Sequence, residues 1–194
     1  MKVKFLLLAL VVALVACNKD DDDKGDPAGG VDYLKVGNEW VYEMTMSMTG
    51  FTMSGEMSYS VEEKMADGTY KVVETTELQG APSYSETYYW TEDDVFNIGH
   101  DMSNVSVGDS WDETDEGITY TTTVVAVNED LTVPAGTFSC TKLKSTQSDN
   151  EDLESFSYFN DSYGMIQIEA ISQEEEGGVV VTVEIYMKMK SKNF

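Results

Sequence analysis

From Val31 to Phe194, apolar and polar residues alternate with a period of two, turn residues interrupt the alternation at short intervals, and no stretch carries a 3.6-residue period. Successive side chains of a strand point to opposite faces, so this pattern specifies half-buried β-strands rather than amphipathic helices. Trp40, Tyr42, Met44, Met46 and Met48 fall on one face of a strand; Val41, Glu43, Thr45, Ser47 and Thr49 fall on the other. Met57, Tyr59 and Val61 repeat the pattern, and Ala66-Asp67-Gly68 reads as a hairpin turn leading back into Thr69 to Leu78. After a break at Gln79 to Ser83, the stretch Tyr84 to Thr91 sets Tyr84, Tyr88 and Trp90 on one side, and Val95 to Ile98 is a short candidate strand.

The second half repeats this texture. Ile118 to Asn128 reads as a strand, Asp130 to Val133 leads into Pro134-Ala135-Gly136 as a tight turn, and Thr137 to Ser145 and Leu153 to Phe159 follow. Asn160 to Gly164 turns the chain into Met165 to Ile171. The last strand is the clearest, with Val179, Val181, Val183, Ile185, Met187 and Met189 on one face and Thr182, Glu184, Tyr186, Lys188 and Lys190 on the other. The expected fold is all-β: a single antiparallel meander of about ten strands, strongly curved or partly closed into a barrel so that the apolar faces meet. Residues 31–194 suffice for one core, and no linker divides them. Val36-Gly37-Asn38-Glu39-Trp40 recurs as Val107-Gly108-Asp109-Ser110-Trp111, 71 positions later, each ahead of a strand, which hints at two similar halves.

The N-terminus is of another kind. Lys2 and Lys4 precede an unbroken apolar run from Phe5 to Ala16. That run falls short of the roughly 20 apolar residues of a permanent span and fits the core of a cleaved export signal. It ends Leu14-Val15-Ala16-Cys17, which resembles the lipobox of bacterial lipoproteins. The resemblance implies cleavage after residue 16 and acylation of Cys17, whose several chains anchor firmly where one binds reversibly. Residues 17–30 then read as the acylated cysteine plus a solvated acidic and glycine-rich tether, and 31–194 as the β-domain. Asp20 to Asp23, just after the cysteine, also resembles the surface-export tag of Bacteroidota-type lipoproteins, and Asn18 resembles outer-membrane sorting rather than inner-membrane retention.

Removal of residues 1–16 leaves 10 of the 12 lysines, no arginine and all 36 acids, a net charge of −26. Nucleic acid and anionic head groups are bound chiefly by Lys and Arg at phosphate, so those partners are set aside. With Cys17 acylated, Cys140 is the sole free thiol; no intramolecular disulfide can form, and Cys140 reads as buried and inert.

Signals for catalysis are weak. His100 is the one histidine, and neither a G-x-S-x-G nor an H-E-x-x-H pattern is present. No catalytic residue, cofactor or metal is assigned. The acidic stretches Asp112 to Gly117 and Asp149 to Asp152 lack the calcium-loop spacing and read as solvated loop charge. Met44, Met46, Met48, Met187 and Met189 read first as core; the alternatives are the lining of a lipophilic cavity, with Trp40 and Tyr42, and Cu(I) coordination by thioethers.

Leu34 to Tyr42, Val133 to Leu143 and Tyr158 to Glu169 resemble an uncharacterised group of secreted bacterial β-proteins and lipoproteins with VGNxWxY, VPAGTFxCxKL and YxxxxGxIxxE patterns. The group is loosely similar to curved half-barrels of the LolA and LolB type. What the resemblance implies is a curved sheet; such a likeness carries no function by itself. The expectation is a non-catalytic lipoprotein of the outer membrane, on its surface or periplasmic face, that binds a partner or supports an envelope assembly. A carrier of an apolar ligand and an enzyme with an unrecognised carboxylate site are the alternatives.

Overall fold

The computed structural model describes residues 34–48, 50–91, 102–115, 117–148, 150–176 and 179–193. Cys17, His100 and the Val95 to Ile98 candidate strand lie outside them. Ten strands run in chain order: β1 (Glu39–Met48), β2 (Phe51–Lys64), β3 (Tyr70–Leu78), β4 (Tyr84–Trp90), β5 (Ser110–Asp115), β6 (Ile118–Val133), β7 (Gly136–Gln147), β8 (Asn150–Asn160), β9 (Gly164–Glu176) and β10 (Val179–Lys192). A single turn of 3₁₀ helix occupies Met102–Asn104.

All ten strands form one antiparallel sheet in the order β4-β3-β2-β1-β10-β9-β8-β7-β6-β5. Every pair adjacent in sequence is hydrogen bonded except β4 and β5, and the first strand pairs with the last. This is the strand order of an up-and-down barrel cut open between β4 and β5. The sheet is open rather than closed, but it curves: Ala135 N, in the β6–β7 turn, donates to Met189 O on β10 at 3.1 Å. Trp40 Nε1 likewise donates to Tyr163 O at 3.1 Å, and Tyr42 Oη to Met165 O at 2.9 Å, tying β1 to the start of β9.

Local chemistry explains the joints. In the β2–β3 turn Gly68 N donates to Met65 O, and Asp67 Oδ1 accepts from Thr69 N and Oγ1. Residues 118–133 form one strand that runs past the end expected at Asn128, because the irregularity there is absorbed by bulges between Val124 and Glu129, where Asn128 takes φ 55°. A bulge lets pairing continue while the strand bends. The acidic stretch from Asp112 is not a loop: it forms β5, paired from Ser110↔Thr123 to Asp115↔Ile118. Glu151 and Asp152, in the second acidic stretch, likewise belong to a strand, β8. In β5, cross-strand pairing with the Thr-rich β6 overrides the low strand propensity of the acids.

The repeated V-G-[ND]-x-W motif builds the same device twice. Gly37 N donates to Val61 O and Val61 N to Asn38 O, at 2.8 and 2.9 Å. Gly108 N donates to Val124 O and Val124 N to Asp109 O, at 2.9 and 2.8 Å. The two glycines have φ 94° and 96°, a region that glycine enters without steric cost.

Burial alternates along β1 and β3 as the pattern requires. The main cluster gathers Trp40, Tyr42, Met44, Met57, Tyr59, Val61, Tyr70, Val72, Trp90, Met187 and Met189 with Phe138 and Cys140. Toward the opposite strand ends, a smaller one holds Met46, Ala170, Val183 and Ile185.

Candidate functional site

The face that begins as alternation in the sequence becomes the inner face of β1, β2 and β10. Tyr42 stands across from Met189, Met44 from Met187, Met46 from Ile185 and Met48 from Val183. The fold therefore brings together all seven residues expected on an apolar face. Trp40, Tyr42, Met44, Met187 and Met189 enter the main cluster and Met46 the smaller one, against which Met48 is partly buried. Gly55 lies opposite Met44 on β2, and there β2 and β3 approach so closely that a Cβ would sit 2.1 Å from Glu77 O.

The same face carries polar groups that the sequence reading passed over. Register aligns Trp40, Tyr59, Glu74 and Glu86 in one row across β1, β2, β3 and β4. The next row on β3 and β4 places Thr76 opposite Tyr84, and the preceding one places Val72 opposite Tyr88. Tyr59 packs on Trp90 with ring centroids 5.6 Å apart, Tyr88 on Trp90 at 6.3 Å, and Tyr42 meets Tyr59 edge-on at 6.2 Å. Glu74 is 4% exposed inside this aromatic setting.

Burial pushes the Glu74 carboxyl above the usual carboxylate range, against the opposing pull of hydrogen bonds from Tyr59 and Thr76; the charge of Glu86 adds to the rise. Thr76 Oγ1 lies 3.4 Å from Glu74 Oε1. Burial likewise raises Tyr59 and Tyr88, with the charge of Glu74 as the second cause in each. Tyr84 Oη donates to Glu86 Oε2 at 2.9 Å. Tyr88 Oη is buried beside both carboxylates and makes no well-formed hydrogen bond. The signal for this site was the sequence Tyr70, Val72, Glu74, Thr76, Leu78: an acid on the apolar phase of a strand.

Elsewhere the chemistry is quiet. Cys140 is 1% exposed, its Sγ lies 3.7 Å from Phe138 O, and burial pushes the thiol up to about 11. Among the described residues, no three His, Cys, Asp or Glu side chains converge to hold a metal ion, and no helix is long and apolar enough to cross a membrane. Glu74 and Glu86 are the inward-facing acid pair that a carboxylate enzyme would use; among the described residues no third acid joins them.

The fold and this face define an open ten-stranded antiparallel meander with an aromatic and carboxylate patch beside one sheet edge. No protein-family model, curated protein or solved structure matches the chain.

Proposed function

We propose that the chain is a non-catalytic lipoprotein of the bacterial outer membrane, tethered through Cys17, whose β-domain binds a lipophilic or amphipathic ligand on the inner face of its sheet. The observation that carries this reading is the strand order: a barrel-type meander that stays open between β4 and β5, with the apolar face turned inward. An opening beside an apolar face is where a ligand gains most from leaving water. Lys2 to Cys17 supports the anchor, and Asn18 with the acids after it supports the outer membrane, its cell surface or periplasmic face.

Native mass spectrometry of residues 25–194, exported behind a cleavable signal and purified without detergent, tests the reading. An added mass that disappears on organic extraction is expected. A clean ligand-free mass would favour a second reading, which the near-complete burial of Trp40, Tyr42 and Met189 supports. There the inner face is simply core, and the domain works through its outer surface on an envelope protein partner, to be captured by crosslinking on intact cells.

A further inference from the structure

We propose that Glu74 and Glu86, with the rings of Tyr59, Tyr88 and Trp90, form the polar end of the ligand site and take an organic ammonium group carried on an apolar body. The inference rests on the reading that a ligand occupies the inner face.

Glu74 is a carboxylate buried among aromatic and aliphatic side chains, and Glu86 stands directly opposite it. Facing like charges repel, and a charge withdrawn from water is costly unless paired. Among the described residues no ion pair reaches either acid: Lys71 pairs with Glu62, Lys144 with Glu154 and Lys190 with Glu56. Hydroxyl groups soften the charge, and one of them, Tyr88 Oη, buried close to both acids, is left without a hydrogen-bond partner. An entering ammonium would offset one of the two facing charges.

The rings narrow the ligand class. A cation over a tyrosine or tryptophan face gains from the ring quadrupole, most of all when desolvated. This rim of the sheet already holds one ammonium beside an aromatic ring: Lys64 Nζ donates to Tyr70 Oη at 2.8 Å and lies 4.7 Å from the Tyr70 ring centroid. A bare divalent ion fits less well, since it seeks six or more oxygen ligands and these two carboxylates stand among rings and aliphatic groups. The apolar body would extend along the face toward Met57, in the next row on β2, and Met44, one row further on β1. Exposure rises along the row from Trp40 at 0% and Tyr59 at 5% to the half-buried Glu86, so the site opens toward β4.

The test titrates octyltrimethylammonium, octanol and octanoate into the mature chain, residues 17–194 carrying Cys17→Ser, by calorimetry. All ten strands lie within Glu39–Lys192, so this form keeps the whole sheet. The ammonium probe should bind about tenfold more tightly than octanol. Glu74→Gln and Glu86→Gln should each erase that preference, while Glu77→Gln, the same charge change at an exposed position of β3, should keep it. Circular dichroism verifies that each variant is folded. Equal binding of ammonium and octanol would overturn the ammonium site and leave the ligand reading standing. Equal loss of preference in Glu77→Gln would also overturn it, assigning the effect to diffuse charge. Binding of none of the probes would sink both.

Discussion

Glu74 on β3 stands directly across from Glu86 on β4, on the face that also carries Tyr59, Tyr88 and Trp90. A buried acid facing a second acid inside an aromatic patch opposes folding at neutral pH, because burial and the charge of Glu86 both favour the protonated form of Glu74.

The sign of the pH dependence follows. Glu74 holds its proton more tightly folded than unfolded, so its contribution to stability is full below the ordinary carboxylate range and is lost as pH rises through its raised value. Glu74→Gln should therefore stabilise the domain at pH 7 and hardly at all at pH 3 to 4, read from urea midpoints at each pH. A uniform shift across pH would contradict the assignment.

Gly55 is fixed by space rather than by backbone conformation. An added Cβ would lie 2.1 Å from Glu77 O and 2.9 Å from Leu78 Cα, both backbone atoms that cannot swing aside. Gly55→Ala should cost about 1–3 kcal/mol, as overpacking does, and should loosen the β2–β3 pairing. Hydrogen exchange at Glu77 and Leu78 would report it; unchanged protection would mean that the strands part without cost.

Gly37 and Gly108 present the opposite case. Nothing lies within 4 Å of either virtual Cβ, and both residues have positive φ. Alanine at either position should cost about 1–2 kcal/mol, from backbone strain alone. Because the hydrogen bonds to Val61 and Val124 match, the two losses should agree within experimental error. A large difference in unfolding midpoints would refute the equivalence of the two motifs.

Tyr42 Oη satisfies the buried Met165 carbonyl at 2.9 Å. Tyr42→Phe keeps the ring in the core and orphans that acceptor, so a loss of about 1–2 kcal/mol is expected. A neutral outcome in thermal or urea unfolding would show that water replaces the hydroxyl.

Cys140 should resist thiol reagents. With its thiol raised to about 11 and its side chain out of water, labelling at pH 8 should proceed only as fast as the sheet opens. Reaction at the rate of an exposed thiol would show that the β6–β7 hairpin lifts readily from β10.

Much of the fold was legible because a strand has one sequence period and a turn has few residues that fit it. Trp40 to Met48, Ala66-Asp67-Gly68, Pro134-Ala135-Gly136 and the last strand all read correctly from local chemistry. β5 did not: Asp112, Glu113 and Asp115 are poor strand formers in isolation, and only the partner Ile118 to Thr123 makes them a strand. Nor did the unity of β6, since a bulge and a turn look alike in sequence until the neighbouring strand is seen to continue.

The candidate site divides in the same way. The sequence alone determined that Trp40, Tyr42, Met44, Met46 and Met48 share a face, and Met187 and Met189 another, because side-chain direction alternates residue by residue. Tertiary structure decided that these are one face, through the pairing of β1 with β10 across almost the whole chain. It also decided that Glu74, Glu86, Tyr59 and Tyr88 meet. Register between strands is a non-local choice, set by the total burial that each alignment permits. No local window of sequence contains that sum, so the acids that matter emerge from the other 34 only when the strands are laid side by side.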